Sequence, residues 1–355
     1  MSVTTTPQGP RRRWLREILL DWDKTQLLIS FVILGLLALT PLFVRSPYYL
    51  GIAILTTLYM FTGISWNIVA GFAGRLLIAQ IIFLAVGSYT TIVLYNTYGV
   101  SPWIGMWVGG AVAALLGLAI ASITLRYGLK MDYFALFTIA LMVAMRTLFL
   151  KWDFVGGAVG MGLSLSNPSF EKMIFANKEP YLYIALGLTT IGVILQYIIY
   201  QSKMGKYFLA IREDEDAAAA LGVDTSRYNT LALLIGSAMA GVGGGFYVMY
   251  VTFVEPPQVF DLGLNVEIIM AAPIIGGLGS LAGPVLGGIL NKPLVEIIRG
   301  TLSAGRSGTT LIVYGLFLIV AIMFMPRGVT GVLHHVYLRL RRRFTDKASL
   351  QEVKK

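Results

Sequence analysis

The chain has 355 residues, 56% of them hydrophobic and only 13% charged, with a formal charge of +10 and no cysteine. So few polar side chains cannot cover so much apolar surface in water, which excludes a soluble domain and makes the bilayer the solvent. The missing cysteine removes disulfides, cysteine-ligated zinc and thiol nucleophiles, and the positive charge sits at the edges of apolar runs, a lipid-facing pattern and not a nucleic-acid surface.

In chain order, Arg11, Arg12, Arg13 and Arg16 follow Pro7, Gly9 and Pro10 with no short apolar segment and small-residue cleavage site, so no signal peptide is expected and residues 1–26 read as a cytoplasmic tail. A spanning helix needs about 20 mostly apolar residues. Runs at 27–44, 50–70, 77–95, 102–124, 133–150 and 181–200 meet or approach that length. Between the last two, residues 151–180 carry Lys151, Asp153, Glu171, Lys172 and the stretch Gly156–Gly162, and read as an extracytoplasmic cap. A polar island, 201–227, precedes the next run from Thr230 to Val254.

From Leu264 to Arg299 the apolar pattern is broken by Pro273, Gly276, Gly277, Gly279, Gly283, Pro284, Gly287 and Gly288. This predicts two short helices around a turn, facing the bundle interior, because irregular backbone at membrane depth must be covered by protein or a water-filled cavity. A final span at 309–325 and a basic tail, 332–355, complete an all-α polytopic protein of about ten membrane elements, with a transmembrane domain at 27–331. His334 and His335 read as solvated tail residues, and no metal or catalytic site is assigned.

Orientation follows from the basic residues. With the N-terminus inside, the inner segments hold five Lys and Arg before the first span, then Arg75, Arg126 and Lys130, four in the island and eight from Arg327 onward, which is 20 of 28. Both termini and the island are therefore expected on the cytoplasmic face of the membrane.

The island reads Gly205 to Asp216 followed by four alanines, Leu221 and Gly222. Alanine and the acidic run favour helix over Arg212–Gly222, and Gly222 is a natural terminator. Held between spans, it is either a solvated connector or a mechanical contact for a soluble partner. Within the spans, Lys292, Glu296 and Arg299 recur at helical spacing and share one face, where they can pair, while Glu267 has no partner identifiable from sequence. The glycines at 241, 243, 244 and 245 mark close helix packing and not a phosphate loop, since no GxxxxGK[ST] follows.

The stretch Ala210 to Gly222 resembles the cytoplasmic coupling segment of permeases in the branched-chain amino acid ABC transporter family. Gly71-Phe-Ala-Gly74 continuing to Gly87-Ser-Tyr89, Asp132-Tyr-Phe-Ala-Leu136, Gly276-Gly-Leu-Gly-Ser280 with Gly283-Pro284, and Pro326-Arg-Gly328 are similar to further blocks of that family, in the same order. The resemblance covers about residues 50 to 331. It implies a transport subunit without its own ATPase motif, paired with a second related permease, two cytoplasmic ATPases that use ATP and Mg²⁺, and an external solute-binding protein. No cofactor is expected on this chain.

The same resemblance makes Arg212, Glu213, Asp214, Glu215, Ala218, Ala219, Leu221 and Gly222 the ATPase-coupling residues. Gln80, Glu267, Gly276, Gly277, Gly279, Lys292 and Glu296 are candidates for the pathway or a permease interface. The resemblance implies a branched-chain or other small amino acid, or a related amide or organic acid, as the solute; Gln80 stands where the family commonly has histidine, and Pro273 where a continuous aliphatic helix is usual, departures that point toward a different solute within that range. The competing reading is a secondary transporter or channel, for which Glu267 and Glu296 are the main intramembrane acids.

Overall fold

The computed structural model describes residues 10–338 apart from 45, 129–130, 165–167 and 303–306, and leaves aside the side chains of 10–21, 125, 131–132 and 301–311. Arg339 and the tail beyond it thus lie outside the described residues. Helix α1 is Pro10–Ala38, so helix begins well inside the segment read as a tail; a turn α2, Thr40–Phe43, follows it. Then come α3, Pro47–Trp66, prolonged by a π-helical turn Asn67–Phe72, and α4, Ile81–Tyr98, α5, Pro102–Arg126, and α6, Met131–Lys151. The chain continues through β1, Met161–Gly162, α7, Glu179–Gln201, α8, Lys203–Glu213, α9, Glu215–Ala220, α10, Thr225–Val251, and β2, Phe253–Val254. It continues through α11, Pro256–Val259, α12, Leu262–Asn265, a π-helical turn Val266–Met270, α13, Ala271–Gly276, α14, Gly283–Leu302, and α15, Ser307–Phe324, with a last helical stretch over 328–338.

Eight segments of the described residues are long and apolar enough to cross a membrane. With the shorter apolar helix Leu262–Gly276 and α14, the membrane elements number ten, as the sequence leads one to expect. Two boundaries differ. The run at 77–95 enters helix only at Ile81, because residues 73–80 form an irregular segment. The second half of the broken pair is not short: α14 has 20 residues and carries Pro293 inside it.

The core is built on α3 and α10, whose spans are 89% and 78% buried, whereas the last span, Ile312–Leu338, is only 11% buried. Without a hydrophobic drive between helices in lipid, contact comes from backbone approach at small residues. A Cβ on Gly87 would run into the Gly241 carbonyl, and one on Gly244 into the Leu84 carbonyl. The glycines of α10 are thus packing surfaces, as read from the sequence.

The two ends of the bundle are distinct. At one end β1 pairs antiparallel with β2, Met161 opposite Val254, and the 151–180 segment is tied over the helix ends by Trp103 Nε1 donating to Phe170 O at 2.8 Å and Ser101 Oγ to Glu171 O at 2.6 Å. At the other end lie α8, α9 and the turn after α13. Trp22 meets His334 there edge-on and Tyr337 at a tilt, with centroids 4.5 and 5.2 Å away, which joins the two described chain ends.

Candidate coupling surface and buried ion network

The island is two helices, not one. Asp214 is extended (φ −160°, ψ 109°) and accepts from Ala217 N at 2.9 Å, so it caps a new helix and breaks the one expected over Arg212–Gly222. Glu215 and Asp216 then occupy the first turn, where the helix dipole favours negative charge. At the far end Gly222 takes φ +86°, with Val223 N on Ala218 O at 3.1 Å and Gly222 N on Ala219 O at 2.9 Å. That double closure needs a left-handed residue, which glycine supplies without strain.

This pair is rooted in the membrane domain. Arg212 Nη1 donates to Gly71 O at 2.6 Å, and Arg75 Nη2 meets Glu215 Oε1 at 2.6 Å, with Asn229 Nδ2 on the same oxygen at 2.9 Å. Gly74 (φ +72°) lies so close that a Cβ there would stand 3.0 Å from Arg212 Cα. The expected coupling residues consequently divide. Glu213, Asp214, Ala219, Leu221 and Gly222 face outward, Leu221 being 87% exposed. The Arg212 and Glu215 head groups are engaged inward, and Ala218 is 3% exposed, buried by this chain itself and not offered to a partner.

The turn between α13 and α14 is held by amide side chains that the sequence reading passed over. Asn67 donates to Ser280 O at 3.0 Å and accepts from Gly279 N at 2.8 Å. Gln196 donates to Leu281 O at 3.1 Å, and Gln26 accepts from Leu281 N at 2.9 Å. Asn265 accepts from Ile81 N at 2.8 Å and donates to Ile78 O, fixing the irregular 73–80 segment. Open backbone in the membrane thus finds its partners inside the protein. Asn67→Leu should strip Gly279 N, at about 1–3 kcal/mol, leave Ser280 O with only the long 3.4 Å bond from Gln196, and lower the unfolding temperature of the purified protein; an unchanged temperature would contradict this role.

Gly276, Gly277 and Gly279 make the reversal itself. Gly277 and Gly279 have φ of +125° and +76°, and a Cβ on Gly276 would strike the Gly283 carbonyl. Gln80, which immediately precedes α4, is fully buried and donates to Ser65 Oγ at 2.7 Å.

Glu267 and the charges of α14 form one network. Lys292 Nζ lies 2.6 Å from Glu296 Oε1 and 3.7 Å from Glu267 Oε1. Arg299 reaches Glu267 Oε2 at 2.8 Å and Glu296 Oε1 at 3.6 Å. The pairing expected within α14 is present, and Glu267 acquires the partners that sequence spacing hides. Tyr59 donates to Glu267 and Tyr48 to Glu296, each at 3.4 Å, and Lys292 stands 5.4 Å from the Tyr59 ring centroid. Two acids and two bases sum to zero, and hydrogen bonds occupy the remaining oxygens, the conditions under which buried charge is tolerated.

Ten helical membrane elements, a glycine-packed core, a broken helix pair fastened by amides and a polar helical island at one end define a multi-pass membrane permease. The chain belongs to the family described as branched-chain amino acid transport system / permease component, whose model matches residues 48–324. It is similar to the high-affinity branched-chain amino acid transport system permease protein LivM of Escherichia coli (strain K12), 26% identical over 333 residues, 87% of this chain and 76% of the relative. It is also similar to the probable branched-chain amino acid transport permease protein LivH of Methanocaldococcus jannaschii, 27% identical over 267 residues, 72% of this chain and 82% of the relative. A shorter similarity, 30% over 148 residues, joins it to LivH of Escherichia coli (strain K12), 41% of this chain and 44% of the relative. No solved structure matches the chain.

Proposed function

We propose that this chain is one transmembrane subunit of an ATP-binding-cassette importer in a bacterial inner membrane, carrying branched-chain or other small apolar amino acids released by an external solute-binding protein. Its partners are a second related permease and two cytoplasmic ATPases, which hold ATP and Mg²⁺; similarity to both LivM and LivH supports the paired arrangement. The observation that carries the reading is the outward face of α9, presented by a helix whose other side is bonded to the membrane domain through Arg75–Glu215 and Arg212–Gly71. ATP-driven closure of the ATPases pushes on α9, and these bonds pass the displacement to the end of α3 and to the turn after α13. The ligand-bound and nucleotide-bound states differ in how they favour outward-open and inward-open arrangements.

In the proposed orientation the island and both termini are cytoplasmic and the 151–180 cap is outside. A cysteine-free chain makes the test direct. Single cysteines at 8, 214 and 350 should resist an impermeant thiol reagent added to intact cells, and one at 172 should react; external labelling at 214 would overturn the topology. In liposomes, uptake should require the ATPases, ATP and the binding protein. Uptake by the isolated chain under an ion gradient would favour the secondary-transporter reading instead.

A further inference from the structure

We infer that the ATPase contact is wider than α9: the tip of the turn between α13 and α14, which carries Leu278, seats in an apolar socket of the same cytoplasmic ATPase and gives it a direct hold on α14. The inference rests on the coupling reading above and adds a second contact to it. From Leu264 to Ile289 every residue is buried or half-buried except Leu278, which is 47% exposed. Gly277 and Gly279 flank it at positive φ, so the chain reverses around this one side chain and offers it at the apex.

The turn that presents it is fixed. Besides the amides of Asn67, Gln196 and Gln26, Ser280 Oγ donates to Gly277 O at 2.6 Å and Thr330 Oγ1 to Ser280 Oγ at 3.2 Å. A group held in this way loses little freedom when a partner seats on it. Lipid does not cover the tip. Neither the N–H nor the carbonyl of Leu278 makes a hydrogen bond among the described residues, and backbone left open to acyl chains is not tolerated. The tip therefore stands in water or against another protein, at the end of the bundle where α8 and α9 lie.

Its neighbours point to the ATPase. A Cβ on Gly279 would strike Arg212 Nη1, and Nη2 of the same guanidinium meets Glu213 Oε1 at 3.1 Å, a side chain 77% exposed. One guanidinium thus joins the leucine tip to the outward residues of the island. Glu213, Asp214 and Asp216 are exposed there and repel anionic headgroups. Leucine tips among carboxylates have the make-up of a protein contact, an apolar centre within a polar rim. A push on α9 reaches the turn through Arg212, whereas a hold on Leu278 moves the turn itself and with it α14, the helix that carries Lys292, Glu296 and Arg299.

The test uses the full chain co-expressed with its partner permease and the ATPases, with photoreactive benzoylphenylalanine placed singly at 278, 221 and 154. Phe154 is 50% exposed at the opposite end of the bundle. Adducts with an ATPase should form at 278 and 221, change in yield when ATP replaces ADP, and be absent at 154. L278D should lower co-purification of the ATPases about tenfold and ATP-dependent uptake with it. The unfolding temperature of the permease should stay at the wild-type value, because the altered side chain points away from the turn. An ATPase adduct at 221 without one at 278, or wild-type co-purification in L278D, would overturn the second contact and leave the coupling reading intact. So would an adduct of position 278 solely with residues 339–355 of this chain. Absence of ATPase adducts at both 221 and 278 would remove the coupling reading, and the second contact with it.

Discussion

Gly276→Ala is expected to leave no folded permease in the membrane. The new methyl group would sit on the carbonyl oxygen of Gly283, with Gly287 N 2.8 Å away, and the facing Gly287 is already pressed against the Ala272 carbonyl. Every obstacle is backbone, so no rotamer change relieves the clash and α13 must part from α14. Overpacking alone costs typically about 1–3 kcal/mol. Parting the helices also strains the bonds from Asn67 and Gln196 to the turn, each stripped backbone group adding about 1–3 kcal/mol. Together these approach the whole stability of a domain, about 5–15 kcal/mol. Fluorescence size-exclusion of a tagged chain should show the monodisperse peak lost in G276A and kept in G315A, where nothing lies within 4 Å of a new Cβ. A normal peak for G276A would show that the crossing can yield.

The second large effect is expected at the coupling face. Leu221 is 87% exposed at the end of α9, and fully burying such a side chain in a partner's apolar pocket is worth about 2 kcal/mol. L221D should then weaken ATPase association about 30-fold and abolish ATP-dependent uptake, with membrane insertion unchanged because the island lies outside the apolar spans. Ala219→Trp should act alike by overfilling the contact. Ala218→Leu is different: its side chain points into this protein, so it should loosen α9 itself and lower stability as well as uptake. Co-purification of the ATPases at wild-type yield with L221D would return the island to a solvated connector.

The spans were legible because each carries its own apolar run, and the α14 ion pairs because Lys292, Glu296 and Arg299 fall three and four residues apart. Glu267 was opaque: its partners on α14 lie across a turn, 32 residues away for Arg299. Asn67 and Ser280 are 213 residues apart, a separation that no local pattern encodes. The break at Asp214 had a signal that was outweighed, an aspartate three residues before Ala217 at the head of an alanine run, which is a helix start as much as a helix interior. Burial of Ala218 depends on which way α9 rolls, and that is set by Arg75 and Asn229 gripping Glu215 from other helices.

The deep burial of α3 has a consequence for how the protein is made. Thr62 donates to Ile268 O, 206 residues later, and Asn67 to Ser280 O, 213 residues later. At about 5–20 residues per second, the ribosome delivers those partners roughly 10–40 s after α3 has emerged. Throughout that interval the most central helix of the finished bundle is a nascent segment carrying amides and hydroxyls without their final acceptors. An early, polar-studded span must therefore sit in or beside the bilayer for the length of that wait before the acceptors that complete its bonding are made.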